Sequence, residues 1–248
     1  MYRIIPCLLL KDKGLVKTYK FNKPRYIGDP VNTVKIFNEK EVDELIFLDI
    51  RATINGRKPD IDLIHDIASE SFMPICYGGG ITKTEEIKEI LYAGVEKVAL
   101  NAAAFEKPKI IENAARNYGS QSIVVSIDVK KNWLGRHEVF LRNGTKATGL
   151  DPVEYALQVQ EAGCGELLVN SIDRDGTMQG YDLDLLLKIS RAVEIPVIAL
   201  GGSGRFEDFD QAIKIGGASA VAAGSIFVYY GKNRAVLINY PTRDKKYD

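Results

Sequence analysis

Cysteine, histidine and tryptophan are scarce in this 248-residue chain, which holds three Cys, two His and one Trp. Cys7, Cys76 and Cys164 are odd in number, far apart and set in apolar segments, so neither a disulfide framework nor a zinc site is suggested. Buried thiols are expected instead, with no metal and no cofactor. A net charge is missing too, because 33 Lys and Arg balance 33 Asp and Glu. Without a long basic stretch there is no electrostatic footprint for a nucleic-acid backbone. No apolar run reaches the ~20 residues that span a bilayer, and residues 1–6 lack the layout of a signal peptide. The expectation is a cytoplasmic protein that binds neither nucleic acid nor membrane.

Apolar residues at 46% and charged residues at 27% supply a core beneath a charged surface. Short runs rich in Val, Ile and Leu recur near 3–9, 44–50, 73–78, 97–101, 122–128, 166–171, 196–200 and 220–224. Segments with helical spacing lie between them, as in Ile61, Ile64 and Ile67 or Ile87, Ile90 and Leu91. Helix starts are marked by Asp29-Pro30, by Thr82 with Glu85, and by Asp151-Pro152; Gly94, Gly163 and Gly216 mark stops. Alternating strands and helices at this length predict one parallel (β/α)8 TIM barrel over residues 1–230, with an irregular tail over 231–248.

The chain also resembles itself across its middle. Val42-Asp43-Glu44-Leu45-Ile46 answers Cys164-Gly165-Glu166-Leu167-Leu168 at an offset of 122 residues, and Gly78-Gly79 answers Gly201-Gly202 at 123. The barrel is therefore read as two similar half-barrels.

Gly78-Gly79-Gly80 and Gly201-Gly202-Ser203-Gly204 each follow a strand and precede a helix, where backbone N–H groups can approach an anion. With Ala102 after the fourth strand and Gly224-Ser225 after the eighth, Gly80 and Gly202 outline one phosphate cradle per half, suited to a small molecule phosphorylated at both ends. The plainer alternative is that the glycines only permit tight turns. Asp128 closes the fifth strand on the face of Val124 and Ser126, as a general acid or base or as a structural carboxylate. Its counterpart in the first strand is Leu9. Lys17 lies in the loop after strand one, and Asp175 in the polar segment 171–177 after strand six. At the opposite end Arg3, Glu44, Lys97 and Glu166 open strands, and pattern alone reads them as a stabilising rim of salt bridges. His65 and His137 show no catalytic partner in the sequence.

The segments Ile4-Ile5-Pro6-Cys7-Leu8, Gly28-Asp29-Pro30, Gly78-Gly79-Gly80-Ile81, 43–50, 171–177 and 222–227 resemble the cyclase subunit of imidazole glycerol phosphate synthase. The resemblance implies a barrel that receives ammonia from a glutaminase subunit docked at its N-terminal rim. It also implies a lyase that uses the ammonia to cyclise a bisphosphorylated nucleotide precursor in histidine biosynthesis. The family's catalytic positions fall on Asp128, Lys17, Asp175 and Asn101, and its charged ammonia gate on Arg3, Glu44, Lys97 and Glu166. Its strand-one catalytic aspartate falls on Leu9, a threonine on Ala102, another threonine on Asn170, and its final amphipathic helix on 231–241.

Leu8-Leu9-Leu10-Lys11, Gly14-Leu15-Val16-Lys17-Thr18 and Phe72-Met73-Pro74-Ile75-Cys76-Tyr77 resemble a paralogous branch tied to acetamidino modification of lipopolysaccharide and other surface-polysaccharide sugars. That likeness implies a barrel that channels ammonia toward a separate ATP-dependent amidotransferase. The expected role is thus an ammonia conduit within a glutamine amidotransferase complex. The alternatives are a working cyclase and a non-catalytic docking scaffold.

Overall fold

The fold follows the alternation of short apolar runs and amphipathic segments, and the computed structural model describes residues 2–241. Eight barrel strands are numbered β1 Arg3–Lys11, β2 Leu45–Asp49, β3 Ile75–Gly78, β4 Lys97–Leu100, β5 Ile123–Lys131, β6 Glu166–Ser171, β7 Val197–Leu200 and β8 Ala220–Ala223. Each pairs in parallel with the next, and β8 returns to β1 with Ala220 opposite Arg3. The expected (β/α)8 barrel is the observed fold.

Among the described residues seven helices of eight or more residues surround it: α1 Pro30–Glu39, α2 Ile61–Ser69, α3 Thr84–Tyr92, α4 Lys109–Tyr118, α5 Pro152–Glu161, α6 Leu183–Ala192 and α7 Glu207–Lys214. Asp29 and Asp151 cap α1 and α5 through backbone N–H groups, as their Asp-Pro sequences predict. At α3 the capping carboxylate is Glu86 rather than Glu85. The helix opens at Thr84, which places Glu86 at the third position, where it accepts from Thr82 N and Lys83 N. After α7 the left-handed residue is Gly217 (φ 69°), one beyond the predicted Gly216.

Strand alternation divides the core into two layers. Outward side chains such as Phe47, Val98 and Val125 pack on Ile64, Ile87, Ile90 and Ile111 of the helices. Inward ones form a separate cluster of Ile5, Cys7, Ile46, Cys76, Ala99, Val124, Leu168, Ile198, Leu200, Ala220 and Ala222, with Leu9 and Leu48 packed against it. Each large aliphatic side chain so buried contributes about 1.5–3 kcal/mol.

Two segments read from sequence as loops are antiparallel ribbons over the C-terminal end of the barrel. Gly14–Tyr19 pairs with β1 and with Asn22–Gly28, while His137–Leu141 pairs with the far end of β5. After β8, among the described residues only Ser225–Val228 is helical, followed by a small ribbon of Tyr229–Tyr230 with Ala235–Val236. Tyr240 then turns inward, its hydroxyl donating to Ile4 O at 2.7 Å and its ring 5.4 Å from that of Phe227. Residues 242–248 of the predicted tail lie outside the described residues. No helix among the described residues is long and apolar enough to cross a membrane.

Candidate functional site

The C-terminal ends of the strands surround a mouth of about 1020 Å3, lined on opposite sides by Asp128 and Leu9. Asp128 is the inward residue of β5 at this level, as its alternation with Val124 and Ser126 predicts. Its carboxylate accepts from Asn101 Nδ2 at 3.2 Å and from Asn170 Nδ2 at 3.3 Å. Burial pushes its carboxyl up to about 7; Asn170 pulls against that shift, Asp175 adds to it and Asn101 opposes it. Asp128 can therefore both give and take a proton near neutral pH. Leu9 faces the same space with Leu48 beside it in register, so strand one supplies no second carboxylate.

Lys17 and Asp175, 158 residues apart, meet as a buried ion pair with Nζ–Oδ1 at 2.7 Å. Asp175 also accepts from Thr18 Oγ1 at 2.8 Å and Phe21 N at 3.2 Å, and its carbonyl accepts from Lys20 N at 2.9 Å. The loop after β6 thus latches the first ribbon over the mouth. Gly176 fits only because it lacks a side chain: a Cβ there would fall 2.5 Å from Thr18 O.

The two glycine turns lie where the sequence places them. In the first half Gly80 N donates to Thr53 Oγ1 at 3.2 Å, and Gly80 lines the mouth with Ala102. In the second half Gly202, Gly224 and Ser225 line a smaller recess of about 230 Å3, joined by Ser203 and Lys17. The Ser225 hydroxyl is buried there without a hydrogen-bond partner, and that of Ser203 faces the Tyr181 hydroxyl.

At the N-terminal rim Arg3 bonds Glu44 and Glu166, and Lys97 Nζ bonds the same two carboxylates at 3.1 and 2.9 Å. The four close a ring across the barrel axis. The acids are sunk inside, with 3% and 6% of their side chains exposed, while Arg3 retains 35% and Lys97 19%. Next along the axis is the inward apolar cluster, where Cys76 is the register partner of Lys97. All three cysteines are buried as expected, and burial pushes Cys7 and Cys164 up to about 12.

Two relationships escape the sequence reading. Asn170 is a donor to Asp128; its alternation with Glu166 and Leu168 on β6 is the signal that marks it as inward. His137 Nε2 lies 3.0 Å from Asp182 Oδ2, pairing the second ribbon with the cap of α6, away from the mouth lining.

A family model described as "Histidine biosynthesis protein" matches residues 3–234. "Putative imidazole glycerol phosphate synthase subunit hisF2" of Pseudomonas aeruginosa is 52% identical over 243 residues, covering 98% of this chain and 97% of that protein. A "hisF3" relative bearing the same description in Vibrio vulnificus is 50% identical, covering 98% of this chain and 94% of its own length. "Imidazole glycerol phosphate synthase subunit HisF" of Alkaliphilus metalliredigens is 42% identical over 92% of this chain and 90% of its own.

Proposed function

Because the chain belongs to the family of imidazole glycerol phosphate synthase HisF subunits, we propose that it serves as the ammonia-channelling barrel of a glutamine-dependent amidotransferase system. A glutaminase docks at the rim of Arg3, Glu44, Lys97 and Glu166. Ammonia then passes along the inward apolar cluster to the mouth. A separate ATP-dependent amidotransferase consumes it there to build an amidine on a surface-polysaccharide sugar.

The observation that carries this reading is Leu9, which stands across the mouth from Asp128. Cyclisation with proton donor and acceptor on opposite faces needs two groups, and loss of one typically costs ~10²–10⁴ in rate. Ammonia delivery needs neither. It needs a dry path, since burying an ammonium ion without a partner is costly whereas neutral ammonia crosses an apolar core readily. Asn101, Lys17 and Asp175 then keep the mouth shaped around Asp128 rather than carrying proton transfers of their own.

A second reading, a working cyclase and lyase, is favoured by the Asp128 carboxyl itself, poised at about 7. The two separate in one assay, in which the protein receives the bisphosphorylated nucleotide precursor and excess ammonium salt. The conduit reading expects turnover at least ~10² below that of a working cyclase. Cyclase-level turnover would overturn it.

A further inference from the structure

Beyond Asp128 the chain exposes its single tryptophan. The second ribbon carries it: β5 continues past the mouth, Lys130 and Lys131 pair with Glu138 and His137, and residues 132–136 turn between them. Four residues at ~3.3 Å each put the start of that turn roughly 13 Å beyond Asp128. The turn is built, not slack. Asn132 Oδ1 accepts from Leu134 N at 3.0 Å and Arg136 N at 3.1 Å, Asn132 N donates to Arg136 O at 2.9 Å, and Gly135 supplies a positive φ of 76°. Its base is tied on both strands, with Lys131 N donating to Asp173 Oδ2 at 2.9 Å and His137 paired with Asp182 at the cap of α6. So fixed, it holds Trp133 90% and Leu134 55% exposed; neither joins an apolar cluster or lines the mouth.

A Trp beside a Leu on a fixed turn has the make-up of an interface anchor, because Trp leads the residues that carry binding energy and loses little conformational freedom when held. Charge indicates what covers it. Lys130, Lys131 and Arg136 are exposed around the tip, while Glu138, the one acid among residues 130–138, accepts from Gly149 N. At the same end of the barrel Tyr19 of the first ribbon is exposed, with Lys20 Nζ 5.9 Å from its ring. A second copy meeting this one tip to tip would set cation against cation, whereas an acidic surface with an apolar cleft complements both features. We infer that the tip of the second ribbon docks the ATP-dependent amidotransferase that consumes the ammonia, with Trp133 and Leu134 in such a cleft and Lys130, Lys131 and Arg136 facing its acids. This rests on the conduit reading. Ammonia released into neutral water is protonated, so delivery requires an acceptor seated at the mouth, at the opposite end from the ring of Arg3, Glu44, Lys97 and Glu166.

The test labels the barrel with fluorotryptophan, which gives one fluorine resonance because Trp133 is the only tryptophan. Adding the purified amidotransferase to the glutaminase–barrel complex should shift or broaden that resonance, and adding glutaminase alone should not. Trp133→Ala should weaken binding of the amidotransferase at least ~10-fold, read by sedimentation, and Trp133→Phe by less. Lys130→Glu with Lys131→Glu should slow association ~10-fold at low salt, a difference that closes as salt rises. An unmoved resonance in a complex that forms, or parental affinity in Trp133→Ala, would overturn the inference and leave the conduit reading standing. Absence of any complex would overturn it as well, and the cyclase assay, run without the amidotransferase, decides the conduit reading separately. A resonance moved by phosphatidylglycerol vesicles but not by the amidotransferase would make the tip a membrane anchor and sink the inference.

Discussion

In the folded barrel Asp128 keeps its proton up to about pH 7, whereas in the unfolded chain it releases it near its ordinary value of 3.8. Between those values the folded state binds more protons, so stability falls as pH rises from about 4 to about 7 and levels off above. Replacing the carboxyl by an amide removes that penalty. The hydrogen bonds can adapt, because Asn170 Oδ1 has no partner and can accept from the new amide after a flip. Asp128→Asn should therefore gain on the order of 1–4 kcal/mol at pH 8 and little at pH 4, read from denaturant melts at both values. Equal effects at the two pH values would mean that Asp128 is ionised throughout. Strand alternation was enough to place Asp128 at the mouth from sequence. Its perturbed carboxyl was not legible, because it depends on Asn101 after β4 and on Asn170 and Asp175 at the end of β6.

Among the elements, the first ribbon shows best where sequence reading stops. Its turns are built on Asp12-Lys13 (φ 51° and 66°) and Lys20-Phe21 (φ 49° and 62°), each a two-residue loop between paired strand ends. Such two-residue turns need positive φ at both positions and are normally announced by Asn-Gly or Asp-Gly. Here most of the turn residues give no such signal, so the segments read as polar loops. The eight barrel strands, by contrast, announce themselves through apolar runs set between capped helices. What holds the first ribbon down is the Lys17–Asp175 pair, and removing one partner from a buried pair typically costs about 3–5 kcal/mol. Asp175→Asn should accordingly raise amide hydrogen exchange across residues 14–28 while leaving β2 to β4 protected. Combining Lys17→Met with Asp175→Leu should recover much of the lost stability, because no unpaired charge remains buried. Unchanged exchange in the ribbon of the single variant would show that packing by Phe21, not the ion pair, is the latch.

At the scale of the whole molecule, the barrel has a ring of charges at one end, a mouth built around Asp128 at the other and an inward apolar layer between. Arg3, Glu44, Lys97 and Glu166 were legible because each opens or immediately precedes a strand. Their closure into one ring was not, since it depends on the barrel's shear. A ring of this kind is weak evidence for stability, as apolar replacements of buried ion pairs are often neutral or better. It does place the half-buried cations Arg3 and Lys97 outside more deeply sunken acids. Beyond it Cys7, Cys76, Ala99, Ala220 and Ala222 give the inward layer several small side chains, which leaves least bulk for a neutral molecule to pass. Cys76→Leu adds bulk directly beside Lys97, at a cost of about 1–3 kcal/mol from overpacking, which a barrel of this size tolerates. In the full complex with glutaminase and acceptor enzyme, the conduit reading expects product formation from glutamine to fall at least ~10-fold while formation from free ammonium persists, the separation that marks a lost delivery step rather than lost chemistry. A docking scaffold would instead support both nitrogen sources as well as the parent does. Equal loss from both sources in a barrel that still melts cooperatively would place the defect at the acceptor, and the conduit reading would fall with it.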